Sequence, residues 1–282
     1  MTLLWRIMTL IPTYGVVPAL GYGTFMRKGD ECLRCVDHAV NVGYRHFDTA
    51  AFYENEVEVG QALRGSSAAR DDLFVTTKVW YDQLGAGKVR ASTEASLERL
   101  GMGYVDLLLI HWPSPDDEVP LQQYMEEIAS LKAEGLTRNI GVSNFTKRHI
   151  DEAIAAVGTS EIATNQCELN VMFHNEPIVT HCQNAGIPMT AYLPLAKGAA
   201  SSGGELERIA AKYGATAAQI ALSWLLGKGH IAIPSSSNTT RIEQNFRAAD
   251  ISLSPGDTQA LDQMNGDRRV SPPWAPDWDI AA

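Results

Sequence analysis

Four side chains in the first 111 residues have the types and spacing for proton chemistry. In HFDTAAFYENE (46–56), Asp48 closes a short apolar segment and Tyr53 follows five positions later. Lys78 lies inside LFVTTKVW (73–80), and His111 ends the apolar run of LLLIHW. An acid at the edge of a core segment is unfavourable unless paired, because burying a lone charge is costly. A lysine in so apolar a strand is desolvated, which lowers its pKa unless an anion sits beside it. Asp48, at the end of the preceding strand, is the nearest candidate. An ammonium beside a phenol favours the phenolate, so the expectation is that Lys78 lowers the Tyr53 pKa from about 10 towards a working range for acid–base catalysis. The plainer alternatives are an edge lysine that reaches solvent and a structural histidine with satisfied nitrogens.

Bringing these four together requires a particular scaffold. Eight short apolar or β-branched runs recur: VVPALGYG (16–23), YRHFDTA (44–50), LFVTTKVW (73–80), VDLLLIHW (105–112), NIGVSNF (139–145), IATNQCEL (162–169), IPMTAYLPL (187–195) and HIAIPSSS (230–237). Between them lie segments such as DECLRCVDHAVNVG and LQQYMEEIASLKAEG, with apolar residues at three-and-four spacing and glycine after the last turn. Strand–helix alternation implies a parallel sheet with helical crossovers, and eight units suggest a (β/α)8 barrel. An open doubly wound sheet is the other possibility. Polar residues end most of the runs: Asp48, Lys78, His111, Ser143 with Asn144, Asn165 with Gln166, Tyr192, and the serines from Ser235. A closed barrel gathers all of these on one rim, whereas an open sheet gathers only those at its switch point.

The 282 residues fit a single barrel domain, with residues 1–7 as a possible extension ahead of a second start at Met8. A formal charge of −10 with no basic stripe disfavours nucleic acid as a partner. No apolar run approaches the roughly 20 residues that span a bilayer, and the N-terminal apolar run lacks a cleavage site, so a cytoplasmic protein without a membrane partner is expected. Cys32 and Cys35 form a CxxC, but no second pair completes a metal site, and reduced thiols on a helix are expected. LGYGTFM has Gly21 and Gly23 but Met26 at the third position of a dinucleotide fingerprint, and LGAGKVR lacks phosphate-loop spacing. Any nucleotide cofactor must therefore bind by another geometry. The tail MNGDRRVSPPWAPDWDIAA reads as an irregular loop lying over the barrel mouth.

GYRHFDTAAFYENE, TTKVW, LIHWP, IGVSNF and TNQCELN, in this order and spacing, resemble the aldo-keto reductase family, and the likeness runs from about Pro18 to the C-terminus. LIHWPSPDDEV, GLTRNIGVSNF and VSPPWAPDWD resemble a bacterial branch that reduces 2,5-diketo-D-gluconate and small dicarbonyls such as methylglyoxal. The resemblance implies a barrel with an N-terminal hairpin, a monomeric state, NADPH as cofactor and a small carbonyl substrate. Carried onto this chain, it makes Tyr53 the proton donor, Lys78 with Asp48 its tuning pair, and His111 the group that orients the carbonyl oxygen. Ser143, Asn144 and Gln166 would hold the nicotinamide carboxamide, with Tyr192 against the ring. Leu193 and Leu195 fall in the cofactor segment AYLPLA. There the family often has Ser and Gly in place of Leu193 and Ala196, which bears on side-chain contacts to the pyrophosphate and leaves the binding mode in place. Ser235, Ser236, Ser237, Asn238 and Arg241 would grip the adenosine 2′-phosphate, with Ser235 replacing a lysine of many relatives, and Gln244 and Asn245 would meet the adenine. Phe25, Trp80, Trp112 and Trp274, with Trp278, are the implied substrate walls. Two other readings of the residues stay open: a Schiff-base enzyme using Lys78 as nucleophile, and a non-catalytic NADPH-binding barrel.

Overall fold

All eight β-branched runs become parallel strands. In the computed structural model, which describes residues 11–201, 204–266 and 269–270, a two-stranded hairpin comes first: β1 (Thr13–Tyr14) and β2 (Val17–Pro18). The barrel strands follow as β3 (Gly21–Gly23), β4 (His46–Asp48), β5 (Phe74–Val79), β6 (Val105–Ile110), β7 (Thr137–Ser143), β8 (Ile162–Glu168), β9 (Met189–Tyr192) and β10 (Ile231–Ala232). They pair in sequence order, each parallel to the next. A parallel bridge from Leu20 to Ala232, and hydrogen bonds from Ala232 N to Ala19 O and from Gly23 N to Pro234 O, join the first strand to the last. The barrel, and not the open sheet, is the fold. The suggested extension at 1–7 and the tail tryptophans Trp274 and Trp278 lie outside the described residues.

Helices cover the outside. They are α1 (Gly29–Val42), α2 (Glu56–Gly65), α3 (Lys88–Leu100), α4 (Leu121–Ala133), α5 (Lys147–Val157), α6 (Glu176–Asn184), α7 (Gly204–Tyr213), α8 (Ala217–Gly227), α9 (Thr239–Phe246) and α10 (Pro255–Asp262). The large core lies between these helices and the outward strand faces, for example Val36, Ala39, Leu63, Val75, Leu97 and Leu108. Cys32 and Cys35 sit on the buried face of α1 as free thiols, and burial pushes Cys32 up to about 12. None of the described helices is long and apolar enough to cross a membrane.

The barrel interior is layered. A lower plug of Val17, Leu107, Leu109 and Ile231, with Tyr14 and Phe74 packed against it, closes the N-terminal end. Each of these aliphatic side chains contributes about 2 kcal/mol by leaving water. Above it comes an uncharged polar layer. His46 Nδ1 donates to the Pro18 carbonyl at 3.1 Å, so its Nε2 accepts from Thr76 Oγ1 at 3.2 Å, and Thr164 and Thr190 share a hydrogen bond at 2.8 Å. Gly21 makes room for the imidazole: a Cβ there would stand 2.6 Å from His46 Nδ1. Only above this layer do charges enter the barrel.

Burial lowers the His46 pKa to about 4 from an ordinary 6.5. Unfolded chains therefore take up the proton first as pH falls, and folding stability declines between pH 6.5 and 4. At 1.4 kcal/mol per pKa unit, His46 alone should remove about 2 kcal/mol of unfolding free energy between pH 7 and pH 5. Urea denaturation at the two pH values measures this, and His46→Gln should flatten that part of the slope.

Candidate active site

The strand ends at the upper rim place the four reactive side chains in one cluster. Lys78 is fully buried inside the barrel, and its Nζ donates to Asp48 Oδ1 at 2.5 Å, to the Thr49 carbonyl at 2.7 Å and to Tyr53 Oη at 3.4 Å. Register explains the pairing, because β4 and β5 run side by side with Asp48 opposite Thr76, two residues below Lys78. Asp48 spends its other oxygen on Gln166 Nε2, which reaches across from β8 at 2.9 Å. All three Nζ hydrogens thus face acceptors, and a charged lysine so held offers no lone pair to a carbonyl. Full burial and three acceptors around Nζ argue against the Schiff-base reading.

Tyr53 sits beyond β4 on a 3-10 turn, Ala51–Tyr53, and its ring lies 5.6 Å from that of His111 and 5.0 Å from that of Phe25. Burial raises the Tyr53 pKa well above its ordinary value, and the Asp48 carboxylate and Tyr192 push the same way. This reverses the expected direction. The ammonium that was to lower it is already answered by Asp48 at 2.5 Å and stands 3.4 Å from the phenol oxygen. Burial lowers Lys78 itself, against the opposing pull of Asp48. His111 follows β6 directly, and burial, with the nearby Lys78 charge, depresses it well below its ordinary range, so its imidazole is neutral. Its Nδ1 is buried and meets no hydrogen-bond partner among the described residues.

The residues expected to grip a nicotinamide carboxamide extend the same network. Ser143 Oγ donates to the Gln166 carbonyl at 2.8 Å. Asn144, held at φ 63°, donates from Nδ2 to the His111 carbonyl at 2.9 Å and to Ser143 Oγ at 3.0 Å, and accepts from Tyr192 Oη at 2.9 Å. Asn165 does not join them. It clamps the backbone of Phe145, donating from Nδ2 to that carbonyl at 3.1 Å. Leu193, Ala196 and Lys197 all adopt left-handed backbone, at φ 47°, 46° and 53°. Such residues cost of order 1–3 kcal/mol each and cluster at ligand sites.

Further round the rim, Asn238 caps α9 by accepting from Arg241 N at 3.0 Å, which leaves the Arg241 guanidinium exposed in the first turn beside exposed Ser235 and Ser237. Ser236 is held from below, its carbonyl accepting from Tyr22 Oη at 2.7 Å. Gln244 is half-buried and Asn245 buried. A guanidinium, hydroxyls and a helix N-terminus form a donor set suited to a phosphate.

Of the expected substrate walls, Phe25 is exposed at the rim, Trp80 is half-buried with its ring 4.8 Å from His111, and Trp112 is buried beside His111. Sequence reasoning missed Phe52, which stacks on Trp80 at 3.9 Å with the planes 11° apart. It also missed Glu56, although a signal was present: Glu56 occupies the apolar stripe of α2 with Val59 and Leu63, all buried. A groove of about 550 Å³ on the outer side of the Phe52–Trp80 stack, lined also by Val57, Ala91, Ala95 and Arg99, contains neither Tyr53 nor His111 and is not the reaction site.

Residues 19–266 match the Aldo/keto reductase family. The methylglyoxal reductase DkgB of Escherichia coli O157:H7 is 44% identical over 265 residues, covering 93% of this chain and 99% of that protein. The glyoxal reductase of Bacillus subtilis is 37% identical, covering 91% and 92%. Among solved structures, a protein provisionally named 2,5-diketo-D-gluconic acid reductase B superposes with a TM-score of 0.88 at 36% identity, covering 93% of this chain and 94% of that one. The aldo-keto reductase AKR2E5, crystallised with NADPH, gives 0.85 at 31% identity, covering 91% and 87%.

Removing one member of a buried ion pair leaves the other uncompensated, at a cost of about 3–5 kcal/mol. Asp48→Asn should destabilise the fold by that amount in chemical denaturation. Asp48→Asn combined with Lys78→Met, which removes the stranded ammonium, should recover most of the loss.

Proposed function

Because the chain belongs to the aldo/keto reductase family, we propose that it reduces small aldehydes and ketones with NADPH, using Tyr53 as the proton donor and dicarbonyls such as methylglyoxal and 2,5-diketo-D-gluconate as substrates. The observation that carries this reading is the placement of a protonated phenol, 3.4 Å from a buried ammonium, at a rim edged by a neutral imidazole and aromatic rings.

NADPH, when bound, supplies the hydride. The protein's share is position and proton supply. Tyr53, with its raised pKa, stays protonated through neutral pH and so holds a proton ready for a carbonyl oxygen. Once that proton has left, the phenolate faces Lys78 Nζ, whose positive charge stabilises it until it is reprotonated. Neutral His111 offers a ring nitrogen that orients the carbonyl oxygen without competing as an acid. Phe25 beside Tyr53, and Trp80 stacked on Phe52, would supply apolar walls suited to small, planar carbonyls.

Ser143, Asn144 and Gln166 would hold the carboxamide, and Tyr192 would lie against the nicotinamide. The Leu193–Lys197 loop, with left-handed backbone at Leu193, Ala196 and Lys197, would line the pyrophosphate with main chain where the family's serine and glycine are missing. Arg241, with Ser235, Ser236, Ser237 and Asn238, would take the 2′-phosphate. Gln244 and Asn245 would border the adenine.

Two measurements test this. NADPH oxidation at 340 nm with methylglyoxal should fall about 10²–10⁴-fold in kcat for Tyr53→Phe, while NADPH still quenches intrinsic fluorescence; equal turnover by the variant sinks the assignment. Arg241→Ala should raise the KM for NADPH about tenfold or more and leave that for NADH nearly unchanged, because only NADPH carries the phosphate. An unchanged ratio of the two removes Arg241 from the site.

A further inference from the structure

Tyr53 stands on a turn with little backbone support. The 3-10 turn is three residues long, and Glu54 after it is left-handed at φ 50°. The two side chains that follow are more deeply buried than the phenol: Asn55 is fully buried and Glu56 is 1% exposed. Asn55 precedes α2 but its side chain caps nothing there. Its Oδ1 accepts from Thr49 Oγ1 at 2.8 Å, and its Nδ2 donates to the carbonyls of Thr24 at 2.8 Å and Arg27 at 2.9 Å. The Thr49–Asn55 bond closes the chain on both sides of Tyr53, and the Thr49 carbonyl is the one that receives Lys78.

Glu56 ties the same turn to the next strand. Its carboxylate accepts from Thr77 Oγ1 at 2.5 Å and from Arg99 at 2.8 Å through Nε and 2.7 Å through a terminal nitrogen. Thr77 precedes Lys78 on β5, so the turn that carries the phenol is fastened to both residues adjacent to the ion pair. Packing does not require an acid there. Glu56 shares its stripe with Val59 and Leu63, and apolar replacement of a buried ion pair is often neutral or stabilising. The α2–α3 contact is already fixed by close approach, since a Cβ on Gly60 would stand 2.2 Å from the Leu100 carbonyl oxygen.

We propose that Asn55 and Glu56 are positioning residues for proton delivery: the Thr49–Asn55 and Thr77–Glu56 bonds set the separation of the Tyr53 phenol from Lys78, without touching substrate or cofactor. The Glu56 carboxylate also favours the charged form of Lys78 across the strand. The proposal rests on Tyr53 being the donor, as read above.

Steady-state kinetics with NADPH and methylglyoxal on Asn55→Ala and Glu56→Leu test it. In each, kcat should fall about 10- to 100-fold, because misplacement of a reacting group by about an ångström costs that much. The carbonyl KM and the NADPH Kd from fluorescence titration should stay within about threefold. In a Tyr53→Phe background the same substitutions should change the residual kcat by less than about twofold, since no phenol is left to place. An equal fall in both backgrounds, or a folded Asn55→Ala with wild-type kcat, overturns the proposal. Should Asn55→Ala fail to fold, Glu56→Leu, which removes the acceptor for Thr77 and continues the apolar stripe of α2, carries the same comparison. A wild type that does not oxidise NADPH, or a Tyr53→Phe variant with full turnover, overturns the functional reading itself. An active wild type, a crippled Phe variant and an unaffected Glu56→Leu overturn only the positioning role.

Discussion

The ion pair between Lys78 and Asp48 is the constraint around which the barrel interior is arranged. An ammonium with no exposed surface forfeits several kcal/mol of hydration, and only close, well-directed acceptors offset this. Asp48 and the Thr49 carbonyl supply two of them from the neighbouring strand. The acid then needs a donor for its second oxygen, and Gln166 provides it from β8. From Gln166 the chain of bonds runs through Ser143 and Asn144 to Tyr192 and to the His111 carbonyl. The candidate site is thus one connected network, seated on an uncharged polar layer that separates it from the apolar plug below.

That arrangement changes how the lysine acts on the phenol. A free ammonium near Tyr53 would lower its pKa, but this one is neutralised by its carboxylate, and burial of the phenol prevails. The resting phenol is therefore a weaker acid than an exposed tyrosine. For a group that must arrive protonated, this is an advantage at neutral pH. In the proposed mechanism the lysine acts after the proton has gone, when a phenolate in the same place would face an ammonium 3.4 Å away. On that reading the pair acts on the charged product of proton transfer more than on the reactant.

The strands and the rim were legible because their signals are local. β-branched runs declared all eight strands, and polar residues at their ends declared Asp48, Lys78 and His111 as neighbours. Asn165 was misplaced because two polar residues in succession on a strand face opposite sides, and only Gln166 points inward. The direction of the Tyr53 shift was illegible, since it depends on a 2.5 Å contact against a 3.4 Å one. Glu56 was legible from its place in the apolar stripe of α2, whereas the burial of Asn55 and the partners Thr49, Thr77 and Arg99 depend on tertiary structure.

Backbone strain follows the same polarity as the chemistry. Among the described residues, the non-glycine positions with positive φ are Met26, Glu54, Asp116, Asp117, Asn144, Asn175, Leu193, Ala196 and Lys197, and every one lies in a loop that leaves the C-terminal end of a barrel strand. At the opposite face, the turns that end helices use glycine where left-handed backbone is needed, as at Gly101 after α3, where the amide satisfies the carbonyls of Leu97 and Glu98 without strain. Folding alone gives no reason for this asymmetry, since a glycine would relieve the upper loops equally well. The side chains that cost stability through their backbone thus stand on the rim that carries Tyr53, Asn144 and the Leu193–Lys197 loop. Strain of order 1–3 kcal/mol per residue is concentrated where Asn144 ties the rim to the buried network, which is where the proposed proton transfer would need fixed geometry.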